Sequence, residues 1–305
     1  REARALHRVA ASDLWPTVNT AGSYSRSRRS IGNTSIPQAA PVERNLFQTG
    51  FDASWEVDVF GGNRRATEAA KADIDAAVEN RRDTQITLLA EVARNYIELR
   101  GFQRRLEIFL SSVQMQEDAV AIIQAKYKAG LISELDAVQA ESLLASTKAQ
   151  IPALENSIKQ TSHRIGVLVG KNPGDMTSGL LPKKPIPIST LEIPPGLPSD
   201  LLRRRPDVRY AERSLAAATA RIGVAKADLF PRFSLTGNFG LQAEELRVIP
   251  MTGISRYWSF GPTIRWPIFA AGRIRANIRA QGERQTQALL TYEKTVLLAL
   301  EDVEN

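Results

Sequence analysis

Residues 47–65 read FQTGFDASWEVDVFGGNRR, and a change of periodicity within them decides the fold. From Phe47 to Val59 the odd positions are mostly apolar and the even positions polar, which is the period-two pattern of a half-buried β-strand. After Gly61 and Gly62 this alternation stops, and a helical pattern begins. The sequence therefore predicts a strand over residues 47–59 that leads directly into a helix.

The stretch that follows predicts a long helical hairpin over residues 63–170. No proline precedes Pro152 in it, and apolar residues recur at steps of three and four, as in helices packed lengthwise. Residues 64–128 as one helix would measure on the order of 100 Å at about 1.5 Å per residue. The sequence YKAGLIS at residues 127–133 interrupts the pattern, and Ser133 is the expected N-cap of the second arm. We expect Pro152 to kink that arm without ending it.

Period-two alternation returns in residues 17–28, 232–241 and 257–268. Together with residues 47–59 this makes four strands of about ten residues, a length that crosses a bilayer when the strand is tilted. The apolar side chains predicted to face lipid are Phe51, Trp55, Val57, Phe233, Leu235, Phe239, Trp258, Phe260, Ile264 and Trp266.

An internal duplication relates the two halves of the chain. The motif DLWP at residues 13–16 recurs as DLFP at residues 228–231, and VFGGNR at residues 59–64 recurs as IFAAGR at residues 268–273. Each half reads helix, strand, strand, long helix.

These patterns predict three segments. They are a first repeat at residues 1–172, a proline-rich linker at residues 173–198 and a second repeat at residues 199–305, with helices expected at 206–229 and 273–305. Because the second long helix is cut short and Arg1 already lies in a helical pattern, we expect a segment that lacks both termini of its parent.

Composition excludes several classes of protein. The 305 residues contain no cysteine, which rules out a disulfide scaffold, a thiolate metal site and a cysteine nucleophile. No run of about 18 apolar residues is present, so no transmembrane helix and no signal peptide are predicted. The net charge of +7 is compatible with nucleic acid or an acidic membrane surface as a partner.

Four strands are too few to close a barrel, and an open sheet edge in lipid leaves backbone groups unpaired. Three copies would supply twelve strands, an even number within the range of membrane barrels. The predicted fold class is mainly α with a transmembrane β-barrel contribution, in which long antiparallel helices form a tunnel. A soluble β-sandwich with helical arms is the alternative, because half-buried soluble strands also alternate. The aromatic-rich strand faces and the length of the helices weigh against it.

The chain resembles the TolC-like outer-membrane factors of tripartite efflux pumps, in their NodT/OprM-type lipoprotein branch. The resemblance covers essentially the whole chain and is most specific in FDASWEVDVFG at residues 51–61, ADLFP at 227–231 and PGLPSDLLRRRPD at 195–207. It implies a homotrimer with a twelve-stranded barrel in the outer membrane of a Gram-negative bacterium and a periplasmic helical tunnel. It also implies an adaptor protein and an inner-membrane pump as partners. The family's amino-terminal lipid-bearing cysteine and second helical hairpin are absent from this sequence.

The resemblance also assigns roles near the hairpin turn. Gly130, Leu131, Ile132 and Ser133 match the periplasmic tip, which contacts the adaptor in that family; by spacing alone they read as a helix-breaking loop. Asp136 matches an acidic residue that takes part in closing the tunnel. Three symmetry-related carboxylates around one axis would form a selectivity ring, whereas the alternative is a solvated helix position.

No catalytic, cofactor-binding or metal-binding constellation is predicted. The two histidines, His7 and His163, lie far apart, and residues 166–172 have the wrong spacing for a phosphate loop. The arginines at 203–205, 209 and 213 lack the aromatic partners or module of a nucleic-acid site, so we expect them to pair with Asp200, Asp207 and Glu212. The function predicted is a passive export duct. The alternatives are a soluble or periplasmic coiled-coil scaffold and a type I protein secretion duct.

Overall fold

The computed structural model describes residues 1–28, 43–187, 202–249 and 252–304. The helices are α1 (Glu2–Ser12), α2 (Gly62–Lys128), α3 (Glu134–Leu168), α4 (Thr177–Leu180), α5 (Pro206–Ala227), α6 (Thr252–Ser255) and α7 (Arg273–Glu304). The strands are β1 (Thr17–Arg28), β2 (Glu43–Val57), β3 (Arg232–Ala243) and β4 (Arg256–Arg265). No helix in the described ranges is long and apolar enough to cross a membrane.

Packing divides the chain into one unit of residues Arg1–Arg81 with Gly196–Asn305 and a second of Arg82–Pro195. The first unit combines strands and helices from both predicted repeats, because their four strands hydrogen-bond into one antiparallel sheet of order β1-β2-β3-β4. Its helices pack closely through alanines, which leave room for neighbouring backbones. The buried alanines of α2, α5 and α7 are Ala69, Ala76, Ala211, Ala217, Ala220, Ala225 and Ala299.

The strands end where their partners end. β2 begins at Glu43, four residues before the predicted start, because it pairs with β1 as far as Arg28. β4 ends at Arg265, opposite Arg232 at the start of β3, although the alternating pattern continues to Ile268. Sequence alternation therefore marked the strands, while pairing set their limits.

The second unit is built on the helical hairpin of α2 and α3. α3 runs from Glu134 to Leu168 with Pro152 inside it, so the proline does not end the arm, as expected, and the kink stays a prediction. The core between the helices contains Leu99, Ile158 and Ile165, with Leu180 of α4 packed against them. The exposed pair of Lys148 and Glu117 joins the two arms at 2.6 Å.

The proline-rich segment begins with structure that the sequence analysis did not anticipate. α4 forms within residues 174–181, where no proline interrupts the chain between Pro173 and Pro182. Residues 188–198 of the predicted linker, and residues 195–201 of the motif that supports the resemblance, lie outside the described residues.

Candidate functional site: an amphipathic sheet and a helical turn

The sheet has one apolar face. Directly paired residues of an antiparallel sheet share a face, and Phe51 pairs with Phe239, which pairs with Trp258. The same register places on this face every strand residue predicted to contact lipid, namely Phe51, Trp55, Val57, Phe233, Leu235, Phe239, Trp258, Phe260 and Ile264. Trp266, the remaining member of that set, follows the last residue of β4. Phe260 is 76% exposed, so this face lacks the cover that a soluble sheet gives its apolar side.

The opposite face is polar. Asn19 of β1 pairs with Asp52 of β2, which pairs with Asn238 of β3, which pairs with Ser259 of β4. Further polar residues of this face are Ser23, Gln48, Ser54, Glu56, Ser234, Thr236, Gln242 and Thr263. The sheet therefore has one mainly apolar face and one mainly polar face.

The duplication is visible in matching contacts of the two halves. The indole Nε1 of Trp55 donates to the carbonyl of Leu14 at 3.0 Å, and that of Trp266 donates to the carbonyl of Leu229 at 3.1 Å. Both acceptors belong to the repeated DL(W/F)P motif.

The second half of each repeat is aligned by glycines as well. Gly61 and Gly272 have φ of 81° and 80° just before the helices α2 and α7 begin. The backbone turn therefore pairs Gly61 with Gly272, whereas the sequence match paired Phe60 with Phe269. The structural correspondence differs from the sequence match by two residues, because the turns before the two helices align while the loop residues around them do not.

The hairpin turn is fixed by backbone chemistry at both of its ends. Gly130 has φ of 72°, and the amide of Leu131 donates to the carbonyl of Lys126 at 3.0 Å, which is the Schellman arrangement that ends α2. Ser133 then caps α3, as predicted. Leu131 is 73% exposed at this turn, so an apolar side chain is presented to solvent. The four predicted adaptor-contact residues are consecutive here, in the second unit, whereas the sheet lies in the first.

Asp136 completes a capping box that the sequence analysis missed. Its Oδ2 accepts hydrogen bonds from the backbone amide of Ser133 at 3.2 Å and from the Ser133 hydroxyl at 2.7 Å. In return, the Ser133 Oγ accepts from the amide of Asp136 at 3.3 Å. The spacing Ser-x-x-Asp was the available signal, because an acidic residue three positions after a Ser N-cap closes this box.

The arginine cluster forms intramolecular ion pairs. Arg205 pairs with Asp207 at 2.8 Å and with Asp302 of α7 at 2.7 Å, and Arg213 pairs with Glu212 at 3.0 Å. Hydrogen bonds from Arg205, and a further one from a backbone amide, hold the pKa of Asp207 below its usual range. The expected partners Asp207 and Glu212 are therefore present, Asp302 is an addition, and Asp200 lies outside the described residues.

Among the described residues, no group of three or more His, Asp or Glu side chains is arranged to hold a metal ion.

The family model described as outer membrane efflux protein matches residues 1–171 and 197–305, and the chain belongs to this family. Nodulation protein T of Rhizobium leguminosarum bv. trifolii is 32% identical over 97% of this chain and 62% of its own length. Solvent efflux pump outer membrane protein SrpC of Pseudomonas putida is 35% identical over 98% of this chain and 63% of its own. The solved structure of the outer-membrane channel OprN superimposes with a TM-score of 0.91 at 39% identity, covering 99% of this chain and 66% of that one. The chain therefore spans less than two thirds of the length of these relatives.

Proposed function

We propose that this chain is a subunit of an outer-membrane channel that acts as the passive export duct of a tripartite efflux pump. The observation that carries the proposal is the sheet with one exposed aromatic face and one polar face. An aromatic face suits lipid, and a polar face suits a water-filled interior. One named relative is an efflux pump outer membrane protein and the other is a nodulation protein. The candidate substrate classes of the proposed duct are drugs, metal ions and proteins.

The free edges of the sheet support a homotrimer. β1 and β4 are the outer strands of the four, so each has one side without a partner among the described residues. In lipid such an edge must be paired, and three copies closing edge to edge would give a twelve-stranded barrel. The long helices would then extend into the periplasm from a barrel in the outer membrane.

Planar-bilayer recording of the full-length protein tests the duct. We expect purified protein to require detergent, to migrate as a trimer and to give stepwise single-channel currents. Extraction in buffer alone, with no current at any protein concentration, would instead support the periplasmic coiled-coil scaffold.

The turn at residues 130–133 is the proposed contact with the adaptor, and through it with the inner-membrane pump. Leu131 is the better site for a test than Gly130, because a side chain at the φ of 72° of Gly130 would strain the backbone as well as add charge. We expect Leu131→Glu to abolish resistance to the exported compound while the trimer level in the outer membrane stays unchanged. Leu131→Ala is the matched control and should retain most of the resistance. Full resistance with Leu131→Glu would contradict the contact.

A further inference from the structure

Tyr257 lies on the polar face of the sheet in an unusual orientation. Side chains of strands normally stand roughly perpendicular to the sheet. The hydroxyl of Tyr257 in β4 instead accepts a hydrogen bond from Nε2 of Gln48 in β2 at 2.6 Å. β3 lies between these two strands, and neighbouring strands are about 4.8 Å apart. The ring must therefore lie along the sheet, across β3, to reach Gln48.

A pair of glycines makes room for the ring. Gly50, Gly240 and Tyr257 are directly paired across β2, β3 and β4, so all three positions share the polar face. A Cβ placed on Gly240 would clash with the carbonyl oxygen of Thr49 and stand 2.9 Å from Cε1 of Tyr257. One placed on Gly50 would stand 2.7 Å from the carbonyl oxygen of Phe239 and 3.2 Å from the Tyr257 hydroxyl oxygen. The two glycines therefore admit both the close approach of the β2 and β3 backbones and the ring. Neither glycine has a positive φ, so what each supplies is space and not a special backbone conformation. The ring lies over two positions that carry no side chain.

We propose that Tyr257 sets the width of the duct at its own height in the barrel. The hydrogen bond from Gln48 keeps the ring flat against the wall. This inference rests on the proposed function, in which the polar face lines the interior. Three copies of the ring would lie at one height, and each would project into the interior if it stood upright. Gln48 and the glycine pair thus keep the interior of the duct open at the height where three upright tyrosines would narrow it.

Gln48→Leu removes the hydrogen bond to Tyr257 and leaves the strand backbone unchanged, because leucine is close to glutamine in size and lacks the donor. Losing one neutral hydrogen bond should raise the upright population of the ring roughly fivefold. We expect lower mean single-channel conductance with more flicker. The double variant Gln48→Leu/Tyr257→Ala should recover at least the wild-type conductance, because the obstructing ring is gone. Gln242→Leu is the matched control: it makes the same change at the residue paired with Gln48 and should leave conductance unchanged.

A second arm keeps the proposal testable if Gln48→Leu fails to assemble. Tyr257→Phe keeps the ring but removes the hydroxyl that accepts from Gln48, so it should lower conductance, whereas Tyr257→Ala should recover at least the wild-type value. Tyr24→Phe removes a hydroxyl from the apolar face of the sheet and should leave conductance unchanged. Equal conductance in Gln48→Leu and Gln242→Leu, or a double variant that conducts no better than Gln48→Leu alone, would overturn the role of Tyr257 while leaving the duct intact. A wild-type protein without channel activity would overturn the proposed function itself, and this role with it.

Discussion

Asp136 has a structural task at the start of α3 that is distinct from the selectivity ring implied by the family resemblance. Its carboxylate accepts two hydrogen bonds from Ser133, and its backbone amide donates one to the Ser133 Oγ. Removing either member of such a box costs about 1 kcal/mol of helix stability. Comparable destabilisation by Ser133→Ala and Asp136→Ala therefore reports the cap alone.

Ion selectivity separates the two roles of Asp136. If three copies of this carboxylate also line the tunnel, Asp136→Ala should reduce the cation preference of the full-length trimer, because a ring of negative charge is lost. Ser133→Ala keeps the charge and should leave the preference unchanged. Reversal-potential measurements in a salt gradient make the comparison, and an unchanged preference in Asp136→Ala leaves the cap as its whole role.

The lowered pKa of Asp207 predicts that the start of α5 is sensitive to acid. The pKa of its carboxyl is lowered, first by the hydrogen bonds from Arg205. A group with a lowered folded-state pKa contributes stability above its unfolded pKa of about 3.9, and that contribution is lost as the pH falls through the folded value.

We expect thermal unfolding of the wild type to shift to lower temperature as the pH falls from about 5 to about 2. Asp207→Asn and Arg205→Gln should each be less stable than the wild type at neutral pH and should flatten the curve in that window. An undiminished pH dependence in both variants would show that other carboxyl groups are responsible.

At the scale of elements, one buried arginine ties the segment after α3 to α2. Arg100 is 2% exposed, and its Nη1 contacts the side chain of Gln103 at 2.6 Å and the carbonyls of Leu180 and Pro182 at 3.1 and 2.8 Å. The ring of Tyr96 lies 4.8 Å from the guanidinium carbon. No carboxylate pairs with Arg100 in the described part of the chain, so carbonyl oxygens and an aromatic face balance its charge.

Arg100→Met should therefore loosen this segment. The substitution keeps apolar volume but leaves the carbonyl of Pro182 without this donor, at a cost of about 2 kcal/mol. We expect faster amide exchange and faster proteolysis between α4 and residue 187, with little change in the sheet. Arg105→Met, at an exposed position of the same helix, is the control. Equal protection from exchange and proteolysis in Arg100→Met and Arg105→Met would contradict the role of Arg100 in holding this segment.

The strands and the long helices could be predicted from periodicity, because each is encoded by its own consecutive residues, whereas the one-turn helices α4 and α6 are too short to show a period. Arg100 and Tyr257 could not, because their partners are remote: Leu180 lies 80 residues from Arg100, and Gln48 lies 209 residues from Tyr257. The capping role of Asp136 is an intermediate case, since its partner is only three residues away and the pattern was legible. The two faces of the sheet were predictable because successive side chains of a strand point to opposite faces, whatever the order of the strands.

At the scale of the whole molecule, the duplication offers a template for how copies join. Within the chain, β2 of the first repeat pairs with β3 of the second, and this interface contains the pair Asp52 and Asn238. Thr17 pairs with Ser54 in the first repeat, and Arg232 pairs with Arg265 in the second. We therefore align Thr17 of β1 with Arg232 of β3, and Ser54 of β2 with Arg265 of β4. By this correspondence Asp52 matches Thr263 in β4, and Asn238 matches Ser23 in β1. A trimer that repeats the internal interface would therefore place Thr263 of one copy directly opposite Ser23 of the next.

A disulfide between copies tests this register, and these 305 residues contribute no cysteine of their own to the background. Residues directly opposite in an antiparallel pair have Cα atoms about 4.5–5.5 Å apart, within the range that a disulfide spans. We expect Thr263→Cys/Ser23→Cys to yield covalent trimers under mild oxidation in the membrane, seen on a non-reducing gel and lost on reduction. Thr263→Cys/Ser25→Cys shifts one cysteine by two residues on the same face, to a diagonal separation of about 7–8 Å, and should cross-link poorly. Preferential cross-linking of the shifted pair would refute the register while preserving the trimer, and monomers in both variants would remove the support for edge-to-edge closure.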